Sequence, residues 1–173
     1  MPAGKGRTVY QLNSLFNHRY YEPSLRTLPV PALLVRQKSE AWDHPFIAVY
    51  EPYGNGEKAQ IHSVYTGKTS KQKGVAKLSV EYFKKDKVDH IIHSVNEKTE
   101  VKYMGIRFIG TYCVATMEKG RLVSLYIGNG YSFSMDGLEV SLGEGKPFDA
   151  WLEWRDGEWI CHSREAVRIK ILE

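Results

Sequence analysis

The feature that most constrains this chain is its punctuation. Glycine-bearing turns recur at roughly 8 to 12 residue spacing: Gly54-Asn55-Gly56, Lys119-Gly120, Gly128-Asn129-Gly130, Asp136-Gly137 and Asp156-Gly157. Asp-Gly and Asn-Gly pairs supply the positive φ that tight hairpins need. Between them the apolar residues follow no helical spacing of three and four. In Val75 to Phe83 the period is two, with Ala76, Leu78, Val80 and Tyr82 alternating against Lys77, Ser79 and Glu81. That pattern predicts a half-buried strand whose lysine-bearing face meets solvent. Short strands joined by such turns predict an all-β fold, an antiparallel two-sheet β-sandwich with an extended N-terminal arm.

Taken in order, Arg7 to Asn13 is a possible first strand, and the arm runs on through Pro23, Pro29 and Pro31, which fix φ and remove donors. We place the arm at residues 1–31 and the β-sandwich at 32–173. Leu33 to Val35 and Phe46 to Tyr50 are apolar at consecutive positions, as strands covered on both faces are, and both are expected to be central. Further strands are expected at 59–66, 75–83, 88–95, 100–104, 106–109, 111–117, 122–127, 131–135, 138–142, 148–154, 158–163 and 166–172. Gly110 and the Gly128-Asn129-Gly130 triplet are read as breaks between them.

The chain has 173 residues, enough for one domain with a real core, since single domains commonly run to about 100–200 residues. A formal net charge of +4 permits an acidic partner without requiring one. Cys113 and Cys161 lack metal-type spacing; they either bridge, if their strands are neighbours, or stay as two thiols. No apolar run approaches the roughly 18 residues of a membrane span, and the first residues hold no signal-peptide core, so a soluble chain without membrane contact is expected. No nucleic-acid motif occurs, and the aromatics that single-strand binding requires are sparse among the lysines.

One stretch carries a resemblance. Leu-Val-Arg-Gln-Lys-Ser-Glu-Ala-Trp-Asp-His-Pro-Phe-Ile-Ala-Val-Tyr-Glu-Pro, residues 34–52, is similar to a segment in the C-terminal β-region of heparinase II/III-like polysaccharide lyases. There a buried strand leads into Gly-Glu-Ala-Trp and a Val-Tyr-Glu-Pro ending. Val88 to Ile92 and the strand and turn succession from Gly110 to Leu138 are also similar. The resemblance covers roughly residues 30–140. It implies a parent enzyme that cleaves acidic polysaccharides by β-elimination, is secreted or periplasmic, and carries its export signal upstream of this chain. In that family the catalytic Tyr and His residues sit mainly on a helical toroid domain, the implied partner. No segment here matches those motifs, so no catalytic residue is carried over, no cofactor is implied, and the chain is expected to be inactive alone. An autonomous carbohydrate-binding module is the alternative.

Substrate-binding candidates are His18, Arg19 and Tyr21, which combine a titratable ring, a cation and an aromatic suited to a sugar acid, and Trp42, which lies near His44 and Pro45. Each has a plainer role, Tyr21 clamping the arm to the sheet and Trp42 plugging the core. His90 and His93 invite a metal reading, but residues three apart in a strand point to opposite faces, so no metal site is expected. Seven lysines, at 68, 71, 73, 77, 84, 85 and 87, stand against Glu81 and Asp86. They attract a polyanion or simply protect sheet edges. Trp151 and Trp154 point to opposite sides of one strand, leaving one of Trp151, Trp154 and Trp159 to stack on a sugar while the others fill the core.

Overall fold

The computed structural model describes residues 7–15, 29–37, 45–52, 56–67, 72–83, 86–142 and 145–171. The chain divides into two compact units, residues 1–40 and 41–173. In the first, β1 (Arg7–Leu15) pairs antiparallel with β2 (Pro29–Gln37), from Arg7 opposite Gln37 to Leu15 opposite Pro29. Leu33 to Val35 therefore belong to this two-stranded ribbon, a correction to their expected central position.

The second unit holds ten strands: β3 (Ile61–Thr66), β4 (Val75–Tyr82), β5 (Lys87–Ser94), β6 (Glu100–Tyr103), β7 (Ile106–Glu118), β8 (Arg121–Met135), β9 (Leu138–Ser141), β10 (Phe148–Arg155), β11 (Glu158–Ser163) and β12 (Arg168–Ile171). Every pairing is antiparallel, and no α-helix occurs among the described residues. The all-β, antiparallel expectation holds. The connectivity is that of one hydrogen-bonded sheet with two branches. One branch runs β11-β10-β8-β7-β5-β4-β3. The other uses the opposite halves of the two long strands, with β6 on β7, and β9 then β12 beyond β8.

What permits two branches is a bend in the β7–β8 ribbon. At Gly110 and Gly130 the register shifts by one, leaving Tyr131 as an extra residue on β8, and a second shift lies at Thr116/Met117. Such bulges bend and twist a strand. At the bend a side chain would be refused: a Cβ on Gly110 would strike Phe108 and the Gly130 backbone, and one on Gly130 would strike Ile127. These glycines, read from sequence as breaks, lie inside continuous strands where two backbones approach closely.

Buried side chains from both branches form one cluster. Phe108 and Phe133, paired across β7 and β8, join Val101 and Val140 from one branch with Ile92, Cys113, Leu125, Ile127 and Leu152 from the other. The branches also bond to each other, since the Tyr103 hydroxyl on β6 lies 2.7 Å from Ser79 Oγ on β4. The sheet thus closes over its own apolar face.

Phe46 to Tyr50, expected as a central strand, forms no strand, and Tyr50 is 81% exposed. Pro45 and Pro52 bracket it and remove ladder donors, while the Glu51 carboxylate accepts the backbone N–H groups of Gln60 and Ile61.

Cys113 and Cys161 are both free, and β7 and β11 are separated by β8 and β10. That is three strand spacings, about 14 Å, well beyond disulfide reach. Burial pushes both thiols up, Cys113 the more strongly. In the folded chain Cys113 should resist iodoacetamide for as long as the fold persists while Cys161 reacts slowly, and mass spectrometry should find two alkylated thiols after unfolding.

Candidate glycan-facing surface

Alternation in each strand sorts side chains onto two faces, and register decides which of them meet. On β10, Phe148, Ala150 and Leu152 are buried, so Trp151 and Glu153 point away from the core. Trp151 lies opposite Tyr126 on β8 and His162 on β11. One step along, Tyr112 on β7 lies opposite His93 on β5 and Gly128 on β8. The outer face therefore carries His93, Tyr112, Tyr126, Trp151 and His162 in a row crossing five strands, about 19 Å at usual strand spacing.

Two pairs of rings in this row touch. Tyr112 and Tyr126 meet edge to face at 6.0 Å, and Trp151 stacks on His162 with centroids 5.0 Å apart and planes 25° from parallel. Even so, Tyr126 is 47% and Trp151 44% exposed. Gly128 adds no side chain between Tyr112 and Tyr126; a Cβ there would lie 3.7 and 3.6 Å from them.

Parallel to the rings runs a polar row formed by Asp89, Thr116, Ser124 and Glu153, each opposite the next. Asp89 accepts from Thr116 Oγ1 at 2.8 Å and from the Tyr82 hydroxyl at 2.7 Å. Trp151 Nε1 donates to Ser124 Oγ at 3.3 Å, and Glu153 pairs with Arg155 at 2.6 Å. Burial, reinforced by Asp89, pushes the Tyr82 hydroxyl up to about 12, so it stays protonated at neutral pH. Pro45 to Ala48, with Ala76, Leu78, Ile91, His93 and Tyr112, bound a groove of about 470 Å³ at one end of the ring row.

The inner face of the same sheet corrects the expectation for β4. Lys77 and Ser79 point inward, and Lys77 is only 8% exposed. Its Nζ donates to Gln72 Oε1 at 2.9 Å, and burial holds its ammonium below the usual range. Ser79 Oγ lies 2.8 Å from His90 Nδ1 as well as against Tyr103, and burial lowers the His90 pKa, with Asp89 opposing weakly. A Ser and a His at bonding distance suit nucleophilic chemistry only where substrate reaches them, and both are buried. His90 faces inward and His93 outward, and no group of three or more potential metal ligands occurs among the described residues.

His18, Arg19, Tyr21, Trp42 and His44 lie outside the described residues. Of Trp151, Trp154 and Trp159, Trp151 is on the outer face, while Trp159 packs against the core and meets Trp154 edge to face at 5.5 Å. The ring row escaped sequence reading because Tyr112, Tyr126 and His162 lie on three strands whose alignment depends on the bulges in β8. The signal within each strand was the alternation itself.

Residues 59–153 match the family model described as the endo-acting ulvan lyase C-terminal domain. The chain belongs to this family. The ulvan lyase C-terminal domain so defined takes in β3 through most of β10, and with them four of the five members of the ring row. A curated endo-acting ulvan lyase of Formosa agariphila is 34% identical over 106 residues, covering 59% of this chain and 13% of that protein. The chain thus corresponds to a small part of that relative's length. No solved structure matches.

Proposed function

We propose that this chain is the non-catalytic C-terminal β-module of a polysaccharide lyase of heparinase II/III-like build, exported to the periplasm or beyond. In this reading its outer sheet face holds an acidic polysaccharide for a catalytic helical toroid elsewhere in the parent protein. The carrying observation is the exposed row from His93 to His162 with its parallel polar row. A sugar ring has an apolar C–H face and a polar rim, and aromatic rings beside fixed hydrogen-bonding groups complement both. Family membership and the relative's description as an ulvan lyase support a glycan as the occupant. The burial of Ser79 and His90, the Ser and His that lie at bonding distance, supports a non-catalytic role, since no substrate reaches them. His18, Arg19, Tyr21 and Trp42 are proposed as further contacts to the polysaccharide.

The test has two arms. Incubated with ulvan, alginate or heparan sulfate, the purified chain should yield no ultraviolet-absorbing unsaturated product. In gels containing the same polymers it should be retarded, and Tyr126→Ala with Trp151→Ala should weaken retention about tenfold, as expected for two lost ring contacts of about 0.5–1.5 kcal/mol each. Turnover at an enzymatic rate, or retention unchanged in the double variant, would sink the reading. The same row favours an autonomous carbohydrate-binding module. That alternative gains if the isolated chain binds polymer as tightly as the intact parent does.

A further inference from the structure

A second concave surface lies at the end of the folded sheet, away from the ring row. The β7–β8 turn at Lys119-Gly120, the β8–β9 turn at Asp136-Gly137, the end of β10, the start of β11 and the end of β12 surround a groove of about 960 Å³. That is the upper end of the range that small-ligand sites occupy, about 300–1,000 Å³. Leu122, Leu138 and Ile171 supply apolar wall, and the edge-to-face pair Trp154 and Trp159 closes one side. Trp154 is 45% exposed although it lies on the core side of its strand, and Ile171 is exposed too. Large apolar side chains left open to one cavity mark a binding surface more often than a packing accident.

The rim carries charge. Lys119, Arg121, Glu118 and Asp136 all line the groove, and among the described residues the Arg121 guanidinium makes no hydrogen bond or ion pair. A planar guanidinium with free donors lining the same groove as an exposed indole suits a carboxylate on a saturated ring, the donors taking the carboxylate and the indole the C–H face. Glu118 and Asp136 are acceptors for hydroxyl groups. A neutral apolar peptide would leave Arg121 and these carboxylates unused.

We propose that this groove is a binding site for one or two uronate units of a glycan chain, with Trp154 as the stacking ring and Arg121 as the carboxylate partner. It is separate from the outer-face row, although the choice of a glycan rests on the polysaccharide-lyase reading above.

The experiment compares a β-1,4-linked triglucuronate with cellotriose, its neutral counterpart, by titration calorimetry and tryptophan fluorescence on the full chain. The uronate trimer should bind the tighter of the two. Arg121→Gln should weaken the uronate about tenfold or more, as loss of a charged hydrogen bond does, while leaving the neutral trimer unchanged. Trp154→Ala should weaken both. Arg121 is exposed, so its substitution leaves packing intact and remains informative should Trp154→Ala fail to fold. Equal affinity of wild type and Arg121→Gln for the uronate overturns the site. So does unchanged binding of both trimers in a folded Trp154→Ala. Retention of polymer in gels without any trimer binding overturns the groove and leaves the outer-face reading standing. Trimer binding without outer-face dependence of polymer retention does the reverse.

Discussion

Replacing Gly130 by alanine is expected to destabilise the 41–173 unit by about 2–3 kcal/mol, near the top of the range for overpacking a filled core. The added Cβ would collide with Ile127 Cγ2 and lie 3.3 Å from Phe108 Cε2. Both neighbours are fully buried, so neither has room to withdraw. At roughly 2–4 °C per kcal/mol for a chain of this size, the thermal midpoint should fall by about 4–12 °C. Gly128 is the control, two residues away in the same strand. A Cβ there meets Tyr126 at 3.6 Å and Tyr112 at 3.7 Å, ordinary contacts on the outer face. Gly128→Ala should therefore change stability by less than about 1 kcal/mol, in either direction. Chemical denaturation of both variants checks the pair. Equal losses would mean that the bend tolerates a side chain and that close approach at Gly130 is not what folds the β7–β8 ribbon.

The same bend explains what the sequence revealed and what it hid. Strand positions from Ile61 to Ile171 were legible because alternation and Asp-Gly turns are local signals, as at Asp136-Gly137 between β8 and β9 and Asp156-Gly157 between β10 and β11. Gly110 and Gly130 hid because a glycine required by close approach looks in sequence like one required by a turn. Only the position of Phe108 and Ile127 tells them apart. Lys77 and Ser79 misled for another reason. Polarity in one strand says which face is wetter on average, yet β4 is buried on both sides, with Lys77 and Ser79 against Gln72 and Tyr103 within and Leu78 and Val80 buried on the other face. Phe46 to Tyr50 misled because an apolar run flanked by prolines forms no ladder. The ring row needed register, and register here depends on two one-residue bulges that no local pattern announces.

Acidification from pH 7.5 to 5 is expected to cost the folded chain stability through His90. Its imidazole is buried, bonds through Nδ1 to Ser79, and has a pKa lowered by burial, the weaker pull of Asp89 opposing. In the unfolded chain a histidine takes up its proton near pH 6.5. The unfolded state thus binds more protons than the folded one once the pH drops through about 6.5. Stability from this group is whole above that value and declines below it until the folded pKa is passed, at no more than about 1.4 kcal/mol per pH unit. Glu81 and Glu97 do not interfere in this window. Hydrogen bonds hold both carboxylates low, chiefly Ser63 for Glu81, and Asn129 followed by Tyr131 for Glu97. Their contribution is present above the ordinary glutamate value near 4.3 and is lost only below it. His90→Gln keeps a hydrogen-bonding group against Ser79 without the titration. It should cost about 1–2 kcal/mol at pH 7.5 and flatten the dependence between pH 7.5 and 5. Denaturant titrations of the two proteins at four or five pH values would measure the difference. Parallel curves would mean that His90 is not the group that senses acid, and that the Ser79, His90 and Tyr103 contact tolerates a charged ring.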